Sequence, residues 1–230
     1  TTEAIRLTAA AAKAGADGLR LNPGNIGGIK KVKAVVDCAK DFNLPIRIGV
    51  NSGSLEKDIL KKYNGVTAAG MVESGLRHVQ LLKSLDFHEI KISLKASDVR
   101  RTLEAYRLLS AKTDLPLHVG VTEAGALYSG IVKSALGIGM LLAEGIGDTI
   151  RVSLTRDPVE EVRVGFEILK ALDIRRRGPE IIACPTCGRC NIDLFDIVER
   201  VEKALMTTAE PLKIAIMGCV VNGPGEAREV

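Results

Sequence analysis

The chain has 230 residues, 46% of them hydrophobic and 26% charged, an ordinary globular balance far from the composition that keeps a chain disordered. Lys plus Arg number 32 against 28 Asp plus Glu, and no basic block exceeds Arg175-Arg176-Arg177, so the charge is no nucleic-acid footprint. With three Tyr, four Phe and no Trp there are too few aromatics for a single-strand stacking platform. The longest apolar stretch, Ala135 to Ala143, is about half of the roughly 20 residues a membrane helix needs, so no membrane span is expected.

From the start, a helical stretch over Glu3 to Ala14 precedes a short apolar run, Gly18 to Asn22. Similar runs recur at Pro45 to Asn51, Glu89 to Lys95, Pro116 to Thr122 and Asp148 to Leu154. Helical periods separate and follow them: Gly27 to Phe42, Leu55 to Leu85 broken near Tyr63-Asn64-Gly65, Ser97 to Thr113, Ala126 to Gly145 and Pro158 to Leu172. Regular βα alternation implies parallel strands with right-handed crossovers, hence an open doubly wound sheet or part of a (β/α)8 TIM-type barrel. Side-chain alternation favours the barrel. One parity is apolar, while the other carries Arg20 and Asn22, Arg47 and Asn51, Lys91 and Lys95, His118 and Thr122, and Arg151 and Ser153. In a barrel the apolar parity meets the surrounding helices and the polar parity meets the axis. The chain starts inside a βα repeat, so strands four to eight of a barrel are the expected content.

After Leu172 the linker Arg175 to Pro179 leads to a short strand, Glu180 to Ala183, a cysteine cluster, a helix over Leu194 to Met206 and a strand over Leu212 to Met217. The expected domains are therefore 1–173, a partial barrel that binds substrate, and 174–230, a partial α+β domain.

Three features carry chemistry. Arg20, Arg47, Lys95 and Arg151, with His118, share the polar parity and have few carboxylates beside them. Burying unpaired cations costs several kcal/mol each, roughly, so a polyanion such as a diphosphate is their natural partner. The bland reading is outward-facing surface ion pairs; Lys95 alone also fits a Schiff-base lysine, and His118 alone a satisfied core histidine. The second feature is Cys184-Pro-Thr-Cys187-Gly-Arg-Cys190 with Cys219 further on. C-x2-C places two thiolates on one metal ion or cluster, and later ligands complete a zinc site or an iron-sulfur cluster. Inert core thiols and a redox dithiol are the weaker alternatives. Third, Gly218-Cys219-Val-Val-Asn222-Gly-Pro-Gly225-Glu226 reads as a tight turn that returns Asn222 and Glu226 beside Cys219. Cys38 reads as a small buried hydrophobe. An odd number of Cys, four of them clustered late, is no disulfide framework, and no secretory pattern opens the chain, so a reducing, cytoplasmic setting is expected.

Together the segments Leu19 to Gly27, Pro45 to Glu56, Lys95 to Asp98, Thr122 to Gly125, Glu144 to Ser153, Ala183 to Cys187 and Gly218 to Glu226 resemble the 4-hydroxy-3-methylbut-2-enyl diphosphate synthase family, collinearly over nearly the whole chain. The resemblance implies an iron-sulfur oxidoreductase of isoprenoid biosynthesis. Its reaction is the reductive ring opening and dehydroxylation of 2-C-methyl-D-erythritol 2,4-cyclodiphosphate, on a barrel followed by an iron-sulfur reductase-like domain. It implies a 4Fe-4S cluster on Cys184, Cys187, Cys219 and Glu226, with Asn222 beside the substrate. Arg20, Asn22, Arg47, Asn51, Lys95, His118, Glu123, Arg151 and Ser153 would line the diphosphate pocket, and Glu123 is the candidate for proton handling. Ferredoxin or flavodoxin would supply electrons, and a head-to-tail homodimer would form the site; neither a nucleic acid nor a membrane is an expected partner. Cys190 departs from this ligand set and offers a rival trio with Cys184 and Cys187. A zinc-stabilised, phosphate-binding barrel of aldolase or pterin-transferase type is the alternative without redox chemistry.

Overall fold

A computed structural model describes residues 2–22, 25 and 27–228, without the side chains of 2–4, 222 and 226. The chain divides into two compact units, Thr1–Gly165 and Phe166–Val230.

The larger unit runs α1 (Thr2–Lys13), β1 (Leu19–Leu21), α2 (Ile29–Asp41), β2 (Ile46–Asn51), a 3-10 turn (Ser52–Ser54), α3 (Lys57–Lys62), α4 (Ala68–Ser84), β3 (Ile90–Lys95), α5 (Val99–Ser110), β4 (His118–Val119), α6 (Leu127–Ala143) and β5 (Thr149–Ile150), and it ends within α7 (Pro158–Ala171). Strand pairing among the described residues is parallel, as the βα alternation requires. Among the described residues β1-β2-β3 form one sheet and β4-β5 another, joined by a lone bridge between Ile92 and Leu117. The last two strands are thus much shorter than the runs expected over Pro116 to Thr122 and Asp148 to Leu154. Side chains take over the backbone there: the Leu154 N–H donates to Glu161 Oε1 at 2.9 Å, and hydroxyls of α5 enter the β3–β4 ladder.

The turns that return each helix to the sheet share one device. After α1, α2, α3, α4, α6 and α7 a residue with positive φ (Gly15, Asn43, Asn64, Asp86, Gly145 and Asp173) reverses the chain. The next N–H then bonds the carbonyl five residues back, as in Leu44 to Ala39 at 2.8 Å and Ile146 to Leu141 at 2.8 Å. This closes the orphan carbonyls of the last helical turn, and Gly, Asn and Asp are the residues that tolerate left-handed backbone. Side chains cap two helix starts of the larger unit: Thr67 accepts from the Gly70 N–H and Asp98 from the Arg101 N–H.

The apolar parity packs under the helices. A Cβ on Gly75 of α4 would stand 3.1 Å from Leu94 and 3.6 Å from Ile92, and one on Gly165 of α7 3.6 Å from Ile150 and 3.8 Å from Val152. Ile46, Ile48, Ile92, Leu94, Val119 and Val121 are fully buried in this layer, each worth about 1.5–3 kcal/mol of apolar burial.

The smaller unit opens within α7 and continues through β6 (Glu180–Ala183), α8 (Leu194–Leu205), β7 (Lys213–Ile216) and α9 (Asn222–Glu226), with β6 and β7 parallel. Asn222 to Glu226 is a short helix and not the Gly/Pro turn that the sequence pattern implied. Pro224 lies in its first turn, where a missing N–H leaves no bond unmade.

Candidate functional site

In the larger unit the strand register aligns the polar parity in rows: Arg20 beside Arg47 beside Lys91, Asn51 beside Lys95, and His118 beside Thr149. Two glycines let these side chains lie flat. Arg20 crosses Gly49, where its guanidinium occupies the place of a Cβ, and donates to the Gly49 carbonyl at 3.3 Å and to Asn51 Oδ1 at 3.4 Å. Lys95 Nζ lies 3.3 Å from where a Cβ at Gly120 would stand, and the Arg151 carbonyl crowds the same spot. Asn22 joins through Ser54, donating to its hydroxyl at 3.1 Å, while Ser54 donates to the Asn51 carbonyl at 3.2 Å. Arg151 approaches Glu161 at 3.6 Å. A cavity of about 330 Å³ opens at the strand starts, lined by Gly18, Leu19, Arg20, Pro45, Arg47, Lys91, His118 and Thr149.

Lys95 and His118 are buried, Arg47 is half-buried, and Arg20 and Arg151 are exposed. Burial, then the charges of Arg47, Arg151 and Arg20, press the Lys95 ammonium down to about 7; Glu161 opposes this. Burial, followed by Lys95, Arg47, Lys91 and Arg151, pushes His118 down to about 3. Arg20 and Arg47 are lowered too, by burial first and by neighbouring cations second. His118 Nδ1 meets Thr149 Oγ1 at 2.8 Å, and its Nε2 is buried with no partner among the described residues. Glu161 is the one carboxylate set against these cations among the described residues, and the excess positive charge that remains is what a bound polyanion would balance.

Of the residues expected in the site, Arg20, Asn51, Lys95, His118 and Arg151 are linked by these contacts and fields, with Arg47 in the same row and Asn22 reached through Ser54. Glu123 takes a left-handed φ of 52° and is exposed; Ser153 is half-buried. Lys91, Ser54, Thr149, Glu161 and Tyr106 were not singled out by sequence reasoning. Lys91 carried the polar-parity signal, whereas Glu161 and Tyr106 sit on helices whose pattern says nothing of what they reach.

In the smaller unit, parallel pairing of Ala183 with Ile216 sends Cys184 and the Gly218-Cys219 segment out of the same sheet end, and the Cys184 N–H donates to the Ile216 carbonyl at 3.2 Å. Cys187 is exposed; Cys184, Cys190 and Cys219 are half-buried, and none of them is in a disulfide. Cys38 is half-buried as well, less enclosed than expected, because the covered positions of α2 are Val32, Val35, Val36 and Ala39. The backbone N–H and then the guanidinium of Arg189 hold the Cys187 thiol below its ordinary value. Cys190 Sγ packs against Gly218, where a Cβ would stand, and its S–H donates to the Ile192 carbonyl at 3.4 Å. Among the described residues no three His, Cys, Asp or Glu side chains stand close enough together to hold a metal ion. The side chains of Asn222 and Glu226 lie outside the described residues. The donor chemistry nonetheless suits a thiophilic group: segments bearing soft thiols follow two paired strands out of one end of the sheet.

Residues 2–166 match the model of the GcpE TIM-barrel domain, and residues 180–230 that of the GcpE protein C-terminal domain. The chain belongs to the GcpE family. It is 62% identical over 215 residues to a Geobacter sulfurreducens protein named 4-hydroxy-3-methylbut-2-en-1-yl diphosphate synthase (flavodoxin), covering 94% of this chain and 61% of that one. A Thermodesulfovibrio yellowstonii protein of the same name is 58% identical over 97% of this chain and 64% of its own length. One from Symbiobacterium thermophilum is 62% identical over 94% and 59%. The chain thus spans about three fifths of the length of these relatives. A solved HMG-CoA lyase from Brucella melitensis overlaps 74% of the chain and 64% of its own, at 17% identity and a TM-score of 0.48. Among the described residues no helix is long and apolar enough to cross a membrane.

Proposed function

We propose that the GcpE chain forms strands four to eight of a (β/α)8 barrel and part of an iron-sulfur domain in a cytoplasmic enzyme. This enzyme converts 2-C-methyl-D-erythritol 2,4-cyclodiphosphate to 4-hydroxy-3-methylbut-2-enyl diphosphate. The observation that carries this reading is the cation row around Lys95, short of counter-charge and crossed by two glycines. The names of the relatives support it over a zinc-stabilised barrel without redox chemistry.

In this reading the diphosphate takes the place of the missing counter-charge. Arg20, Arg47 and Arg151 bind it as guanidinium forks. Lys95, held near neutrality when the pocket is empty, binds its proton firmly once the anion arrives. His118 stays neutral through its depressed proton affinity, and Asn22, Asn51 and Ser153 orient the hydroxyl groups. Cys184, Cys187, Cys219 and Glu226 would hold a 4Fe-4S cluster, which would pass on the electrons that ring opening consumes. Asn222 stands beside the substrate, and Glu123 handles the proton that accompanies loss of the hydroxyl oxygen as water. A flavodoxin delivers the electrons, as in the names of the relatives, or a ferredoxin does. Two copies arranged head to tail complete the site.

The deciding experiment is anaerobic turnover of the cyclodiphosphate by the full-length protein with reduced flavodoxin. Lys95→Gln should lower kcat/KM by about 100-fold, roughly 2.7 kcal/mol of transition-state stabilisation. A wild-type protein that carries its cluster and does not turn over the cyclodiphosphate would end this reading.

A further inference from the structure

Lys95 ends β3, and the β3–β4 ladder beside it is opened by hydroxyl groups of the crossover helix α5. The ladder is ordinary at its two ends, where the Ile92 N–H donates to the Pro116 carbonyl at 2.9 Å and the Thr122 N–H to the Ala96 carbonyl at 3.1 Å. Continued from the Ile92–Leu117 bridge, a parallel register would bond the Leu94 N–H to the His118 carbonyl and the Ala96 N–H to the Gly120 carbonyl. Instead Tyr106 Oη stands between the strands, accepting from the Leu94 N–H at 3.0 Å and donating to the His118 carbonyl at 2.6 Å. Thr102 Oγ1 accepts from the Ala96 N–H at 3.3 Å and lies 2.9 Å from the Asp98 carbonyl. Both side chains are fully buried, and their four-residue spacing puts them on one face of α5.

We infer that Thr102 and Tyr106 are positioning residues of the anion site. They form a two-hydroxyl clamp that grips the backbone on either side of Lys95 and holds β3 and β4 apart, so that the ammonium lies over Gly120. The inference rests on the reading of the cation row as a diphosphate pocket. A β-strand fully bonded to its neighbour would leave Lys95 to follow the sheet's own twist. A clamp fixes residues 94 and 96 to a helix and so fixes the residue between them. Lys95 then faces Arg20 from β1, Arg47 from β2, His118 from β4, Arg151 beyond β5 and Glu161 from α7.

The test uses full-length protein and two readouts: inorganic pyrophosphate affinity by calorimetry at pH 6.5, and the titration of the Lys95 amine by competitive acetylation and mass spectrometry. Tyr106→Phe and Thr102→Val should each weaken pyrophosphate binding at least tenfold and move the Lys95 midpoint up from about 7 toward its free value. Thr102→Ser, which keeps the hydroxyl, should stay within threefold of wild type. Folded variants with the wild-type midpoint and wild-type affinity would overturn the clamp. Should Tyr106→Phe not fold, the contrast between Thr102→Val and Thr102→Ser decides alone. If wild type binds no pyrophosphate, the diphosphate reading fails, and the acetylation midpoints still settle the clamp.

Discussion

At the scale of single residues, Lys95 and His118 bear the electrostatic cost of the site. A base whose proton affinity is lowered on folding destabilises the native state while both states are charged. For Lys95 that penalty is fully present below about pH 7 and fades as pH rises toward the unfolded value of 10.5. Lys95→Met should therefore be more stable than wild type by a few kcal/mol, on the order of 2–4, at pH 6, with the gap shrinking toward pH 10. Urea melts at the two pH values check this. His118 works in the acid range. Its folded value near 3 lies below the unfolded 6.5, so the unfolded state binds the extra proton and stability is lost as pH falls from 6.5 toward 3. His118→Asn should flatten that part of the stability curve; an unchanged slope would count against the buried, neutral imidazole.

At the scale of elements, Gly120 is the joint between β4 and the Arg151 segment. Any Cβ there meets the Arg151 carbonyl and stands 3.3 Å from the Lys95 ammonium. Gly120→Ala should cost about 2 kcal/mol through overpacking and abolish pyrophosphate binding, read by thermal melts and calorimetry. Asp98 caps α5 through the Arg101 N–H at 2.7 Å, so Asp98→Ala should cost about 1 kcal/mol in denaturant melts. The helices of the larger unit and the first three strands were legible because apolar periodicity and the Asn, Asp and Gly punctuation both act locally, whereas the short helix at Asn222–Glu226 read as a turn. β4 and β5 were not. Their apolar runs continue to Val121 and Leu154, yet hydroxyls from α5 and the Glu161 carboxylate take over the hydrogen bonds that a ladder would make.

For the whole molecule, the family spans both units of the chain, and the thiol-bearing end of the β6–β7 sheet is where its cluster chemistry is proposed. Anaerobic reconstitution of the full-length protein should load about four iron and four sulfide per chain. Cys219→Ser should lose them. Cys190→Ser should keep them, because the Cys190 thiol is already engaged with Gly218 and the Ile192 carbonyl. Iron retained in Cys219→Ser and lost in Cys190→Ser would instead select the Cys184, Cys187 and Cys190 trio.

The sequence by itself determined which residues are cationic on the polar parity, where four thiols cluster and which family carries these motifs, since composition and spacing survive in one dimension. Only the tertiary structure decided that Arg20 crosses Gly49, that Lys95 lies over Gly120 and that hydroxyls from α5 pry β3 from β4. Those are contacts between residues tens of positions apart or between a helix and a strand edge, set by packing and register, and no local pattern encodes them.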